Sequence, residues 1–483
     1  MPIRKLPATQ LILLAGLVSA GWGAAAGPGA VMFRGNPQHT GVYDGKGGFP
    51  VQKERWRFKT GNVNRSTAAV ANGVVYVGSH TGNLYAIDAK TGAANWVTQL
   101  GGEISSSPAV ADGMVFVGND AGFYALDAKS GERRWTIKTG DVVPFPHRWD
   151  YFQSSPTYLE GVVYFGSADS HIYAAGAKAG NLLWKFKTEG RVRTAPALAE
   201  GGLYCGSMDG NLYALDAKSG QLRWKFKTAG NPFFPLGEVQ STPAVADGMV
   251  FFGSRDGFLY AVNAATGQKK WAFSHEGSWC ISGPAVADGL VFAGSSDGQF
   301  VNAVDAKTGQ EKWRAKMPSR VFTSGAIAGG NVYFGAWGGE VTWFDAKIGK
   351  QKGGTMAEAA VQASPVVSDG VLYFGSDDGY IYAVELEAAK ERQAIKLDPK
   401  ILGLYVGEYE LMPGQALSVI LEGEKLMAQL PGQPKFELIP ETETQFFVRD
   451  VAAEFEFGKD EKGRCTQVKL RQSGFEYTLK KIK

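Results

Sequence analysis

A phrase of about twelve residues recurs through this chain at intervals of about 40 residues, and a period of that length is typical of β-propeller blades. One copy reads SPAVADGMVFVG over residues 107–118, continues as LDAKSG over 126–131 and ends at Trp135. Each copy holds three short apolar runs and a Trp-containing run, with Asp-Gly or Asn-Gly pairs between them. Short β-rich runs joined by such turns indicate an antiparallel meander of four strands. The repeat therefore predicts an all-β propeller.

The number of copies predicts eight blades and the way the ring closes. A Pro or Ala, called here the lead residue, precedes the first apolar run of each copy: Ala68, Pro108, Pro156, Pro196, Pro243, Pro284, Ala326 and Pro365. The Trp position is filled seven times: Trp56, Trp96, Trp135, Trp184, Trp224, Trp271 and Trp313. Trp56 precedes the first lead residue, and Lys352 stands near the eighth Trp place. We therefore expect Trp56–Lys59 to supply the outer strand of the last blade, which removes an open sheet edge.

The repeat resembles a known family. Residues 206–224 read GSMDGNLYALDAKSGQLRW, which is similar to the pyrroloquinoline-quinone (PQQ) type of propeller repeat, and the resemblance covers residues 31–386. One branch of that family is the quinoprotein dehydrogenases, which use PQQ with Ca²⁺. The other is the non-enzymatic, BamB-like propellers. The chain lacks the adjacent Cys pair of the dehydrogenases, so the resemblance favours the second branch, with no cofactor expected.

Composition and the first residues predict an exported protein. Lys and Arg total 50 against 47 for Asp and Glu, and this near balance argues against a nucleic-acid binder. Residues 1–26 carry an early basic pair, a short apolar run and Ala24–Ala26, the order of a secretory signal peptide. We expect cleavage there, no later membrane span, a monomer, and a periplasmic or extracellular location. Three sparse cysteines do not make a disulfide framework.

Several apparent motifs are explained by the repeat. The recurring Asp-Gly pairs are expected to be hairpin turns rather than calcium ligands, because an EF-hand-like loop needs several acidic ligands. Gly294–Gly298 matches the nucleophile-elbow pattern G-x-S-x-G, but a true elbow joins a strand to a helix. Here the match falls on a repeat turn, so we interpret it as structural. His39, in a segment similar to the start of related propellers, is also interpreted as structural.

Binding residues are expected where the repeat is irregular. Three stretches of unpatterned aromatic and charged residues precede lead residues, and loops of this kind often carry function. The first holds His147, Arg148 and Trp149, the second spans residues 232–235, and the third holds Trp279. The alternative is that they only cap the propeller rim.

The position three residues before each lead residue is expected to line the central channel. It reads Arg65, Ser105, Gln153, Arg193, Gln240, Ile281, Thr323 and Gln362. This polar ring is predicted either to bind a ligand or peptide or to surround water.

The last part of the chain predicts a second domain. Residues 387–396 read as a charged linker, and Asp398-Pro399 as the start of a helix. Seven or eight short strand patterns then fill residues 397–483, which suggests a small antiparallel barrel. Residues 405–409 (YVGEY) and 430–438 (LPGQPKFEL) resemble a lipocalin-like domain of unknown function found after β-lactamase-like and D-aminopeptidase-like hydrolases. The S-x-x-K motif of those hydrolases has no convincing copy here.

The sequence thus favours a non-catalytic, exported binding or scaffold protein that uses one propeller face to bind a protein, peptide or envelope component. The candidate binding residues are Arg65, His147, Arg148, Trp149, Gln153, Arg193, Gln240, Trp279 and Gln362. The alternative is a PQQ-dependent oxidoreductase resembling the quinoprotein dehydrogenases.

Overall fold

The computed structural model describes residues 31–43, 52–143, 153–233, 236–386, 394–412, 415–430, 435–448, 453–472 and 475–483. The predicted signal segment 1–26, the candidates His147, Arg148 and Trp149, and residues 387–393 of the predicted linker lie outside these ranges.

Eight four-stranded antiparallel sheets form the propeller, as predicted. Seven blades are built from consecutive strands. Blade 1 is β2 (Ala69–Ala71), β3 (Val74–Gly78), β4 (Asn83–Asp88) and β5 (Ala94–Gln99); blade 2 is β6 (Ala109–Ala111), β7 (Met114–Asn119), β8 (Gly122–Asp127) and β9 (Arg133–Ile137). Blade 3 is β10 (Thr157–Leu159), β11 (Val162–Gly166), β12 (His171–Gly176) and β13 (Leu182–Lys187); blade 4 is β14 (Ala197–Ala199), β15 (Gly202–Gly206), β16 (Asn211–Asp216) and β17 (Leu222–Lys227).

The remaining blades follow the same plan. Blade 5 is β18 (Ala244–Ala246), β19 (Met249–Gly253), β20 (Phe258–Asn263) and β21 (Lys269–Ser274); blade 6 is β22 (Ala285–Ala287), β23 (Leu290–Ser295), β24 (Phe300–Asp305) and β25 (Glu311–Lys316). Blade 7 is β26 (Ala326–Ala328), β27 (Asn331–Gly335), β28 (Glu340–Asp345) and β29 (Gln351–Met356). Blade 8 is β30 (Val366–Ser368), β31 (Val371–Gly375) and β32 (Tyr380–Leu386), completed by β1 (Gln52–Lys59). The antiparallel pairing of β1 with β32 confirms the predicted closure.

The repeated Trp residues hold neighbouring blades together. Each indole N–H donates to the carbonyl of an Ala in the next blade, as Trp184 does to Ala217 at 3.0 Å. The ring also lies against a Gly of that blade, and a Cβ added at Gly220 would lie 2.6 Å from Trp184. A large aromatic side chain thus buries apolar area and satisfies its own polar atom at each of these junctions.

The junction between blades 7 and 8 uses a different arrangement. Gly353, rather than the expected Lys352, occupies the Trp register, and its partner on the adjacent strand is Trp343. Trp343 stands where other blades have Ala, it is fully buried, and it packs 5.5 Å from Tyr333. In this blade the Trp therefore lies on the third strand and the small residue on the fourth strand, which is the reverse of the other blades.

A segment before β1 runs along the free inner edges of several blades. Backbone N–H groups of Leu198, Val245 and Val286 donate to carbonyls of residues 37, 38 and 40. Arg34 is buried and donates to the carbonyl of Gly283 at 2.6 Å. His39, also buried, contacts Thr157 Oγ1 at 3.0 Å. Because the segment satisfies inner-strand edges around the axis, it occupies the channel at this depth, and His39 has the structural role predicted for it.

The C-terminal part forms a closed barrel of eight strands. Helix α1 (Pro399–Gly403) begins at Asp398, whose side chain accepts the N–H of Lys400 as predicted. The strands are β33 (Gly407–Met412), β34 (Gln415–Glu422), β35 (Lys425–Gln429), β36 (Phe436–Pro440), β37 (Gln445–Phe447), β38 (Ala453–Lys459), β39 (Cys465–Gln472) and β40 (Phe475–Lys481). Tyr405 and Tyr409 pack inside with Phe457 at 4.5 and 5.8 Å. The described residues contain no helix long and apolar enough to cross a membrane.

Candidate functional site

The predicted polar ring lies on the face of the propeller where loops lead into the innermost strands, and the structure corrects one member. In most blades the lead residue directly precedes the innermost strand, but in blade 7 the residue before β26 is Gly325. The ring position in blade 7 is therefore Phe322, not Thr323. Thr323 instead bonds Gly335 N–H at 2.9 Å, as Ser66 bonds Gly78 in blade 1.

A second ring lies beside the first, and sequence reasoning did not identify it as a site. It consists of the variable residue in the turn that joins the second and third strands of each blade. Its members are His80, Asp120, Ala168, Met208, Arg255, Ser296, Trp337 and Asp377. For most of these residues, the backbone N–H donates to a carbonyl of the loop that leads to the innermost strand, as Arg255 N–H does to Glu238 O at 3.1 Å. The two rings together are called the collar.

The first contact cluster of the collar joins blade 8 to blade 1. Arg65 forms a two-point ion pair with Asp377, with Nη2–Oδ2 at 3.0 Å and Nε–Oδ1 at 3.3 Å. Gln362 Nε2 donates to the same carboxylate at 2.6 Å. These side chains are buried or nearly so, and paired charges with several hydrogen bonds hold such a group in one geometry.

A second cluster spans blades 1 to 3. His80 Nε2 contacts Ser105 Oγ at 2.8 Å, and the other ring nitrogen lies 3.6 Å from a Glu103 carboxylate oxygen. Burial lowers the pKa of His80, opposed by the charge of Glu103. Gln153 Oε1 accepts the Ser105 backbone N–H at 2.9 Å. The predicted residue Gln153 therefore orders the neighbouring loop.

Two further arginines cross between elements near the axis. Arg193 of blade 4 reaches Asp120 of blade 2 at 2.7 Å, and a contact that skips a blade is feasible only close to the axis. Arg255 donates to Gln240 Oε1 at 2.7 Å, and its guanidinium lies 5.0 Å from the Trp279 ring centroid. The structure thus brings together the predicted residues Gln240 and Trp279 through Arg255, which the prediction did not include.

Exposed apolar side chains lie on the same face. Phe233 is 84% exposed and Leu236 is 52% exposed, both in the loop between blades 4 and 5. Trp337 is 39% exposed and packs edge-on against Phe322 at 5.5 Å. Most polar collar groups already bind one another. The outward-facing apolar residues are therefore the groups best placed to contact a partner.

The donor set of the collar does not fit a calcium-held quinone. Ca²⁺ takes six to eight oxygen ligands, whereas Asp377 and Asp120 are engaged by Arg65 and Arg193. Within the described ranges, no three His, Cys, Asp or Glu side chains gather closely enough to hold a metal ion. The three cysteines are free and buried in separate places, so none forms the paired-sulfur arrangement of the dehydrogenases.

Fold and collar together define a PQQ-repeat propeller with eight blades. The family model described as outer membrane protein assembly factor BamB matches residues 51–148, 146–272 and 271–400. The chain belongs to this family. A second model, a domain of unknown function (DUF3471), matches residues 391–483.

Solved structures share the fold at low identity. BamB from Moraxella catarrhalis is 19% identical with a TM-score of 0.58, covering 72% of this chain and 100% of that one. A quinohemoprotein alcohol dehydrogenase from Comamonas testosteroni is 15% identical with a TM-score of 0.64, covering 79% and 86%. A europium-containing methanol dehydrogenase is 14% identical with a TM-score of 0.63, covering 74% and 98%. At these identities the similarity describes the fold alone.

One curated relative matches a short stretch. Penicillin-binding protein 4* of Bacillus subtilis (strain 168) is 42% identical over 73 residues, which is 15% of this chain. The chain spans only 16% of that protein's length.

Proposed function

We propose that this chain is a non-catalytic, exported binding or scaffold protein whose collar face docks a protein or peptide. The exposure of Phe233, Leu236 and Trp337 beside a pre-organised polar collar carries the proposal. Protein interfaces pair aromatic anchors with a polar surround, and rigid surroundings lower the ordering cost of binding. Membership of a family described as outer membrane protein assembly factors supports a partner in the cell envelope.

The collar residues act by positioning the docking surface. Arg255 is buried and held by Gln240, so Trp279 rests on a fixed cation. Phe322 supports Trp337 from below in the same way. A partner that buries these rings would meet side chains that already hold one conformation.

A capture experiment tests the proposal. Immobilised full-length protein is incubated with an envelope extract of the source organism, in parallel with a Phe233→Ala/Trp337→Ala variant. The control is Ile348→Ala, because Ile348 is 64% exposed but lies on the opposite face. We expect the collar variant to lose the captured protein and the control to retain it. Equal capture by all three proteins contradicts the proposed face.

The quinoprotein alternative has its own test. Purified protein is supplied with PQQ and Ca²⁺, and dye reduction is followed with alcohols and sugars as substrates. The collar geometry predicts no turnover above background. Turnover that depends on added quinone would replace the scaffold proposal with an oxidoreductase.

A further inference from the structure

The junction between blades 5 and 6 departs from the repeat in a way that opens a groove. At the regular junction between blades 4 and 5, Tyr260 donates to Asp256 at 2.6 Å and accepts the Ala229 N–H at 3.3 Å. The Tyr side chain therefore fills and ties that junction. In blade 6 the same register holds Asn302, since Tyr260 pairs with Phe252 as Asn302 pairs with Ala293.

Two linked changes accompany Asn302. The turn from Gly294 to Phe300 is one residue longer than that from Gly253 to Phe258. The residue after the outer strand of blade 5 is His275, whereas blades 3, 4 and 8 end in Thr188, Thr228 and Thr60 at that position. These changes are difficult to recognise in the sequence, because the extra residue shifts the third strand of blade 6 by one position relative to the other copies of the repeat.

The result is a groove of about 690 Å³, a volume typical of small-molecule sites. Its polar lining residues include His275, Glu276, Asp297, Gln299, Arg314 and Lys316. Beneath it, both ring nitrogens of His275 and Oδ1 of Asn302 are buried without a hydrogen-bond partner among the described residues. Unpartnered buried polar atoms are costly, so the retention of three of them on two neighbouring side chains at this altered junction calls for a functional reason.

Two residues of each sign line the groove, and Glu276, Arg314 and Asp297 are already in ion pairs, whereas Lys316 is not paired within the part of the chain that the structure describes. Arg314 bonds Glu276 at 2.7 Å and Glu311 at 2.8 Å, and its guanidinium lies 4.1 Å from the Phe300 ring centroid. Asp297 pairs with Arg320 at 3.1 Å. A cationic ligand would have to break one of these pairs, and an anionic ligand at Lys316 would face the carboxylates of Glu276 and Asp297. Hydroxyl groups, in contrast, can donate to the carboxylates and accept from the cations.

His275 adds no charge. Burial, and secondarily the charge of Arg314, lower the pKa of this imidazole to about 3. The ring is therefore neutral at physiological pH and carries one donor and one acceptor.

We propose that this groove is a binding site for a neutral, hydroxyl-rich ligand of the size of a disaccharide. The site is separate from the protein-docking role of the collar and does not depend on it. Its recognition groups are the polar side chains of Gln299, Lys316 and Asp297 around a neutral histidine floor.

The test is calorimetric titration of full-length protein with cellobiose, maltose and chitobiose, with glutamate and glucose 6-phosphate as charged probes. We expect saturable one-to-one binding of at least one neutral disaccharide. Removing two hydrogen-bonding groups in Gln299→Ala/Lys316→Ala should weaken binding by about ten-fold or more. Lys187→Ala is the matched control, because Lys187 holds the Lys316 register in blade 3, and it should leave the affinity unchanged.

A second variant partly restores the repeat. His275→Thr/Asn302→Tyr restores two side chains of the junction found between blades 4 and 5 and keeps the longer turn, so we expect a folded protein that has lost disaccharide binding. Absence of binding by wild type across the three disaccharides overturns the proposal, as does binding of the charged probes alone. Unchanged affinity in the Gln299→Ala/Lys316→Ala variant overturns it too, whether or not the restored-repeat variant folds. Collar variants such as Phe233→Ala leave this readout unaffected, which separates it from the docking proposal.

Discussion

The two faces of the propeller are built from turns of similar length but use their side chains differently. On the face opposite the collar, the turn from the third to the fourth strand is nearly the same in most blades. Asp88 accepts the N–H groups of Lys90 and Thr91 at 3.1 and 2.7 Å, and Asn263 does the same for two residues in blade 5. On the collar face the corresponding position changes from blade to blade, from His80 to Trp337.

The difference shows that the turns on one face of a repeat can stabilise the fold while the turns on the other face remain available for binding. Turns whose side chains close onto their own backbone hold a blade in shape and offer little to a partner. Collar side chains instead reach other blades, as Arg193 does to Asp120. Substitutions should therefore affect stability most at the blade junctions, and substitutions of exposed collar side chains should affect binding.

The largest expected contrast is between two tryptophans. Trp271 is 8% exposed and donates to Ala306 at 2.9 Å between blades 5 and 6, so Trp271→Ala should cost about 3–5 kcal/mol. Trp337→Ala on the collar should cost about 1 kcal/mol or less, because the ring is partly exposed. Denaturant unfolding of both variants measures the contrast. Equal losses would break the distinction between junction and collar.

A pair of glycines sharpens the comparison within the opposite face. Gly220 and Gly248 have φ of 71° and 70°, and a side chain in this region costs about 1–2 kcal/mol. A Cβ at Gly220 would also meet Trp184 at 2.6 Å, whereas Gly248 has open space. We expect Gly220→Ala to lower the thermal midpoint by at least twice as much as Gly248→Ala. Similar shifts would show that the Trp contact contributes little.

Substitution of one arginine on each face compares how much an ion pair contributes to stability there. Arg65→Ala removes a partly buried pair with Asp377 and should cost about 1–2 kcal/mol. Arg134→Ala removes an exposed pair with Asp127 on the opposite face, and exposed pairs contribute little. Urea midpoints in low and high salt distinguish them. A larger effect from Arg134 would reverse the assignment of the collar as the pre-organised face.

The smallest expected effect is on the stability of the fold at acidic pH. The N–H of Thr308, followed by its hydroxyl, lowers the pKa of Asp305 to about 2, below the value of about 3.9 in unfolded chains. Between these values the unfolded state binds more protons, so this stabilisation is present above pH 4 and is lost as the pH falls toward 2. Asp305→Asn keeps an acceptor oxygen but not the charge, so it should be less stable than wild type at pH 7 and show a shallower loss on acidification. An unchanged acid slope in thermal melts would contradict this.

Blade number, ring closure and the role of the repeated Trp were predictable because each recurs in the sequence. Trp56 lies before the first copy and no Trp follows the last. Pairing of the first strand with the last blade was therefore the simplest way to close the ring of blades. The helix start at Asp398-Pro399 was predictable for a local reason, since capping depends on adjacent residues.

The missed features depend on register or on distant contacts. In blade 7, Gly325 replaces the usual Pro before Ala326, which shifted the predicted ring residue by one. In blade 7 the large side chain lies on the third strand, at Trp343, and the small one on the fourth, at Gly353. Because this exchange involves two paired strands, the spacing of the repeat along the sequence does not reveal it. The second collar ring was visible as the variable residue after Gly-Ser in most of these turns, but only the fold shows that these residues meet.

Site-specific photo-crosslinking tests the central claim most directly, because it reports contacts of the collar in cells whatever the identity of the partner. A photoreactive residue replaces Phe233 or Trp337 on the collar face, or Ile348 on the opposite face, and adducts are separated by mass. The account predicts a discrete protein adduct from both collar positions and none from Ile348. An adduct from Ile348 alone, or no adduct from either collar position, would contradict it.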